Sequence, residues 1–189
     1  VLRAHGQVFY SPVVEAVARI PTQDLRMSAE AAKVRLSALG FHDEDAGLRH
    51  IEALTSGTSR AVRIQTALMP AMLAWLADGP SPDHGLLAFR QVSEALGESP
   101  WYLRALRDEG AMAQRLAVVL STSRYAVDVL TRAPETVQVL VDDDLTPLGR
   151  EDLARQMNAV ARRHHDVEEA VRAIRAVRRR ELFRILVAD

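Results

Sequence analysis

Three short clusters contain the residue types from which metal and acid-base sites are built: Phe41-His42-Asp43-Glu44-Asp45, Asp142-Asp143-Asp144 and His164-His165-Asp166. The last has the look of the His-Asp pair in metal phosphohydrolases. Adjacent helical residues point about 100° apart, so neighbouring histidines rarely share one ion, and the further His and Asp ligands of such a site are not recognisable here. Asp166 also stands where it can cap the helix that follows. The Asp-x-Asp spacing at 142 and 144 is one with which nucleotide-handling enzymes hold magnesium. That chemistry needs a Gly-Ser turn just before the acids and strands to aim them, whereas here the triplet precedes Leu145-Thr146-Pro147 and reads as a solvated loop. The acids at 43–45 fall in a first helical turn, where the macrodipole favours negative charge.

No GxGxxG, Walker loop, GxSxG or HExxH string occurs, so no residue is assigned a catalytic, cofactor-binding or metal-binding role. Trp75 and Trp101 stand among apolar helix positions and are expected in the core. The remaining candidate is the basic series Arg172, Arg175, Arg178, Arg179, Arg180 and Arg184. One reading is a solvated helix face. The sharper reading comes from rotation at about 100° per residue: Arg178 falls on the apolar stripe with Ile174 and Ile185, while Arg172, Arg175 and Arg179 cluster on its flank. An arginine within such a stripe must pair, snorkel or meet a neighbouring domain. Arg172, Arg175, Arg178 and Arg179 are therefore the candidate domain-docking surface.

The elements that would position these groups are helical. The chain has 189 residues, 48% hydrophobic and 26% charged, a composition that supports a sizeable core without disulfide or metal staples. A formal net charge of -1 offers no field to gather nucleic acid or an anionic membrane. The absence of cysteine excludes disulfides and thiolate chemistry and is compatible with the cytoplasm. The first residues form no signal peptide, and the longest nearly apolar run, 67–77, is about half of what a bilayer requires. A cytoplasmic location is expected.

Helix punctuation recurs throughout, and β-branched runs of period two are absent. Ser11-Pro12 reads as cap and first turn of a helix stopped by Pro21; Ser28 opens a second that closes at Gly40. Asp43 caps a third, carrying Leu48 and Ile51 on one face and ending at Thr55-Ser56-Gly57. Thr58 or Ser59 starts a longer helix with Val62, Met69, Met72, Leu73 and Leu76 on one stripe, and Pro70 predicts a kink or break within it. Ser81-Pro82 and Ser99-Pro100 open two more, with stops at Gly97 and Gly110. Helices over 111–120 and 123–133 follow, capped at Ser121 or Ser123, then a small one from Pro134 to Val141. After the loop VDDDLTPLG two helices remain, the first ending around His164-His165. The second aligns Val167, Val171, Ile174, Leu182 and Ile185, and its lack of a stop signal predicts that the chain continues. The fold class is all-α, an irregular bundle of about ten helices with no repeat of fixed period.

With the helices placed, several strings resemble the bifunctional glutamine synthetase adenylyltransferase/adenylyl-removing enzymes, in the versions of high-GC Gram-positive bacteria. They are LGFHDEDAGLRHIEALTSGTSR, LLAFRQVSEALGESPWYLRALRDEG, LSTSRYAVDVLTRAPE and RRRELFRILVAD. The resemblance implies two nucleotidyltransferase domains, one removing AMP by phosphorolysis and one adding it from ATP with magnesium, on either side of a helical separator. Each is marked in the family by a Gly-Ser turn and an Asp-x-Asp pair on a small sheet; neither mark is present here, so no active-site residue is carried over. The implied division is 1–22 as the tail of the helical part after the adenylyl-removing domain, 23–145 as a central linker and regulatory domain, and 146–189 as helices leading into the adenylyltransferase domain. Implied partners are those flanking domains, glutamine synthetase and a PII-type signal protein, and no cofactor belongs to this segment itself. The competing readings are a stand-alone helical adaptor and, more weakly, a small metal hydrolase.

Overall fold

A computed structural model describes residues 29–97, 99–142 and 144–188. The helix expected after Ser11-Pro12 lies outside the described residues. Among those described there are nine α-helices, one 3-10 helix and no strand. The fold is all-α, as the punctuation implies.

Helix α1 (Ala29–Ala38) ends where Gly40 adopts φ 90°. The Gly40 amide donates to the Ser37 carbonyl at 3.0 Å and the Phe41 amide to the Leu36 carbonyl at 3.1 Å, a Schellman closure. Leu36 and Phe41 meet inside the core across that turn. Helix α2 (Glu44–Thr55) starts because an Asp43 carboxylate oxygen accepts from the Ala46 amide at 2.8 Å, and Gly57, at φ 116°, follows its end. Helix α3 (Arg60–Ala77) is capped by Ser59, whose hydroxyl accepts from the Val62 amide at 3.1 Å. It is not broken at Pro70. Met69 and Met72, on either side of the proline, are 3% and 0% exposed, so core packing holds both turns in helical register.

Helices α4 (Pro82–Ala95) and α5 (Pro100–Asp108) each begin on a proline whose fixed φ suits the first turn. Neither Ser81 nor Ser99 adds a side-chain cap bond. Instead Asp83 reaches across to accept from the His42 and Asp43 amides at 3.0 and 3.1 Å, tying the start of α4 to the turn before α2. Helix α6 (Gly110–Thr122) begins at Gly110, which was expected as a stop; the break between α5 and α6 is at Glu109 alone. Helix α7 (Arg124–Arg132) is capped by Ser123. Ser121 is buried within α6 and bonds back to the Ala117 carbonyl at 2.9 Å, leaving the cap to Ser123. A 3-10 helix (Pro134–Val141) completes the main body.

The core forms where α4 and α6 pack on each other and on α2, α3 and α5. Tyr102, Phe89, Met72, Leu76, Leu86, Leu116 and Leu120 are fully enclosed there. Trp75 and Trp101 pack at its edge, half-buried, Trp101 edge-on to Tyr102 with ring centroids 5.8 Å apart. The Tyr102 hydroxyl shares a buried 3.0 Å hydrogen bond with Ser93, and burial pushes its phenol pKa up. The approach of α4 to α6 depends on a missing side chain. A Cβ at Gly85 would lie 2.7 Å from a Leu76 methyl and 3.2 Å from the Ser121 Cα.

Two outcomes follow from this packing. Gly85→Ala gains helix propensity but forces α4 off α6, so the unfolding free energy read by urea titration falls by a net of about 1 kcal/mol or more and the midpoint drops with it; an unchanged or raised midpoint contradicts the packing. His50 on α2 is half-buried with Nδ1 enclosed and lacking a hydrogen-bond partner among the described residues. Burial, then the nearby Arg90 and Arg49 guanidinium groups, hold its pKa below the ordinary 6.5. The folded chain therefore keeps His50 neutral while the unfolded chain takes up the proton, and stability falls as pH drops through about 6.5. His50→Asn flattens that slope, which denaturation at a series of pH values reads directly; an unaltered slope excludes His50 as its source.

Candidate docking face on the last helix

Helix α8 (Arg150–Ala161) and helix α9 (Val167–Ala188) form an antiparallel hairpin. Asp166 starts α9 by accepting from the Glu169 amide at 2.9 Å, as its position implies. His164 Nδ1 lies 3.5 Å from the Glu169 carboxylate, and His165 is exposed. The hairpin seam uses half-buried Leu153, Met157 and Val160 of α8 and Ala170, Ala173 and Ile174 of α9, at helical spacing. No residue of α8 is buried.

The second half of α9 packs on α7 and the 3-10 helix. Phe183 is fully enclosed there, beside buried Val177 and Glu181. A Glu181 carboxylate oxygen accepts from the Leu148 amide. The Arg184 guanidinium donates to the Asp144 carbonyl at 2.9 Å and to the Asp142 carboxylate at 2.9 Å, with its Nε 3.6 Å from Glu181. From the other side Arg115 donates to the Leu140 and Asp142 carbonyls at 3.0 and 2.8 Å. The loop between the 3-10 helix and α8 is thus held by two arginines and one glutamate.

These contacts decide what the acidic loop does. The Asp142 carboxylate is taken by Arg184, and Asp144 accepts from the Thr146 amide at 2.8 Å. Hydrogen bonds from Thr146, aided by Arg184, hold the Asp144 pKa below the ordinary 3.8. Among the described residues no group of three or more His, Asp or Glu side chains is gathered to hold a metal ion. A cleft of about 410 Å³ lies between the 3-10 helix, α8 and α9, lined in part by Gln138, Asp152, Gln156, Arg180 and Glu181.

The orientation of α9 corrects the apolar stripe read from periodicity. Val167, Val171 and Ile185 are exposed, at 76%, 39% and 47%, and Ile174 and Leu182 are only half-buried. The buried residues do not share one face: at about 100° per residue Val177 and Glu181 fall toward the α8 side, about 80° and 40° round from Val167 and Ile185, and Phe183 alone is roughly opposite, about 160° away. The cause is the Glu181 and Arg184 clasp, which turns a charged pair inward. Arg172, Arg175, Arg178 and Arg179 are all exposed on the outward side, and none forms an ion pair among the described residues. Arg184 belongs instead to the inner face, with its side chain 15% exposed. The clasp was missed by sequence reasoning; its only signal is a Glu-x-x-Arg pair flanking a phenylalanine.

A family model described as Glutamate-ammonia ligase adenylyltransferase matches residues 113–189. Over all 189 residues the chain is 98% identical to the bifunctional glutamine synthetase adenylyltransferase/adenylyl-removing enzyme of Cutibacterium acnes, of which it covers 19%. Identity to the enzymes of the same description from Streptomyces coelicolor and Mycolicibacterium smegmatis is 52% and 45%, over the whole chain and 19% of each relative. The chain belongs to this family and corresponds to a segment of its members. No solved structure matches it. Among the described residues no helix is long and apolar enough to cross a membrane.

The clasp has a measurable consequence. Arg184→Met strands the Glu181 carboxylate and frees the loop, so amides 144–148 and those of α8 exchange faster while α6 amides keep their protection. A loss on the order of 2 kcal/mol in local opening free energy is expected; unchanged exchange in the loop contradicts the role given to Arg184.

Proposed function

We propose that this segment is a non-catalytic connector in an enzyme that adds AMP to and removes it from glutamine synthetase, and that it relays regulatory state between the two activities. The observation that carries this reading is the division of α9 into an inward face clasped to the helical body and an outward face of four arginines that form no ion pair among the described residues. A close-packed body moves as a unit, so a shift at one end reaches the other through interfaces of this kind. In this reading residues 1–22 close the helical part after the adenylyl-removing domain, 23–145 form the central body, and 146–189 lead into the adenylyltransferase domain. Arg172, Arg175, Arg178 and Arg179 dock on that last domain.

The proposed whole enzyme works in the cytoplasm and answers to glutamine and a PII-type protein. Adenylylation draws on ATP and magnesium. The acids of this segment do not suit that ligand, because Asp142 and Asp144 are engaged by Arg184 and Thr146. The nucleotide chemistry belongs to the flanking domains.

Changing Arg175 and Arg179 together to alanine in the full-length enzyme tests the reading. The expected result is a change of about 5-fold or more in adenylylation rate or in its response to glutamine, the scale of a coupling energy of about 1 kcal/mol, with unaltered thermal stability. A variant identical to the parent in both properties refutes the docking role.

A further inference from the structure

The outward face of α9 carries more than arginine. Val167, Val171 and Ile185 lie along it at helical spacing, all exposed, with Leu182 half-buried beside them. Single exposed apolar residues need no explanation, but Val167 and Val171 one turn apart at the start of this 22-residue helix and Ile185 near its end share one side within about 40°, with exposed Arg178 between them, a mixed apolar and basic face of the kind that meets another element. Its inner side is already occupied. Helix α8 adds a second sign of missing cover: none of its residues is buried, and its packing rests on one side of α9. Helix α8 thus has little apolar burial of its own, and a helix draws most of its stability from tertiary packing.

Resting on the docking role proposed above, we infer that the Val167, Val171 and Ile185 ridge receives an amphipathic helix from elsewhere in the same polypeptide, apolar along its contact line and edged with Asp and Glu toward Arg172, Arg175 and Arg179. The partner is a helix because the ridge has helical period, so that ridges can seat in grooves. It is acidic because the four arginines beside the ridge have no carboxylate partner among the described residues. It lies in the same chain because this segment is 19% of its relatives' length, and a tethered helix reaches the ridge at an effective concentration on the order of millimolar.

Photo-crosslinking in the full-length enzyme tests this contact. A benzophenone amino acid replaces Val171, or separately Ile185, with Glu151 on the far hairpin helix as control. Irradiation is followed by peptide mapping. Expected is an intramolecular cross-link to one acidic amphipathic helix outside these 189 residues, several-fold more abundant from positions 171 and 185 than from 151, and largely lost in the Arg175→Glu, Arg179→Glu background. Cross-links between two copies, cross-links confined to this segment, or none above the control overturn the inference. The two claims separate cleanly. An intact cross-link in an alanine variant of unchanged activity leaves the contact standing and removes the relay, whereas a missing cross-link beside altered activity does the reverse.

Discussion

A buried carboxylate and a nearly buried guanidinium set the orientation of the last helix. Glu181 is 5% exposed and points its charge at the backbone of the 142–149 loop, while Arg184 gathers a carbonyl and a carboxylate from the same loop. Desolvating such a pair is costly unless the remaining hydrogen-bonding sites are filled; here the loop takes the Arg184 terminal nitrogens and a Glu181 oxygen, while Arg184 Nε is left with the 3.6 Å ion pair to Glu181 and no hydrogen bond among the described residues. Rotating α9 to bury Val167, Val171 and Ile185 would carry Arg184, about 100° round the helix from Ile185, away from the loop. The outward position of Arg172, Arg175, Arg178 and Arg179 is thus a consequence of what lies on the inner side.

The molecule has two textures. From α2 to the 3-10 helix every element has several neighbours and a fully enclosed side chain or the backbone of another helix against it. The α4 and α6 crossing at Gly85 and Ser121 leaves no room for an added methyl group. The α8 and α9 hairpin is thin by comparison, joined to the body by Phe183, the polar clasp and a loop. Local opening draws on regions with few buried apolar contacts, so the hairpin is the part of this segment most able to change its relation to a neighbour. That suits a connector, whose body must stay rigid while its end responds.

Much of this was legible because helix ends are written in local chemistry. Asp43, Ser59, Ser123 and Asp166 cap helices where their side chains reach the next turn's amides, and Pro82 and Pro100 start helices where a fixed φ suits the first turn. Gly40 stops a helix, but Gly110 begins one, because glycine permits several backbone states and context selects among them. Pro70 did not break α3, since the methionines around it are locked in the core. The face of α9 was misread for a different reason. Periodicity groups residues that share a side, but it does not say which side finds a neighbour within these 189 residues, and a charged pair such as Glu181 and Arg184 looks solvent-facing until its partners are known. The same rotation argument singled out Arg172, Arg175, Arg178 and Arg179, and all four are exposed.

The chain covers 19% of the length of relatives such as that of Cutibacterium acnes, and in the proposed reading the rest of that length holds the domains that the connector joins. A structure of the full-length enzyme from a relative such as that of Cutibacterium acnes addresses the central claim most directly, through the solvent exposure of Val171 and Ile185 in the complete chain. The account predicts that both, 39% and 47% exposed in this segment alone, become buried against another part of the same polypeptide while Glu181 and Arg184 keep their hold on the loop. Finding that face open to solvent, or α9 turned so that Glu181 faces outward, would contradict it.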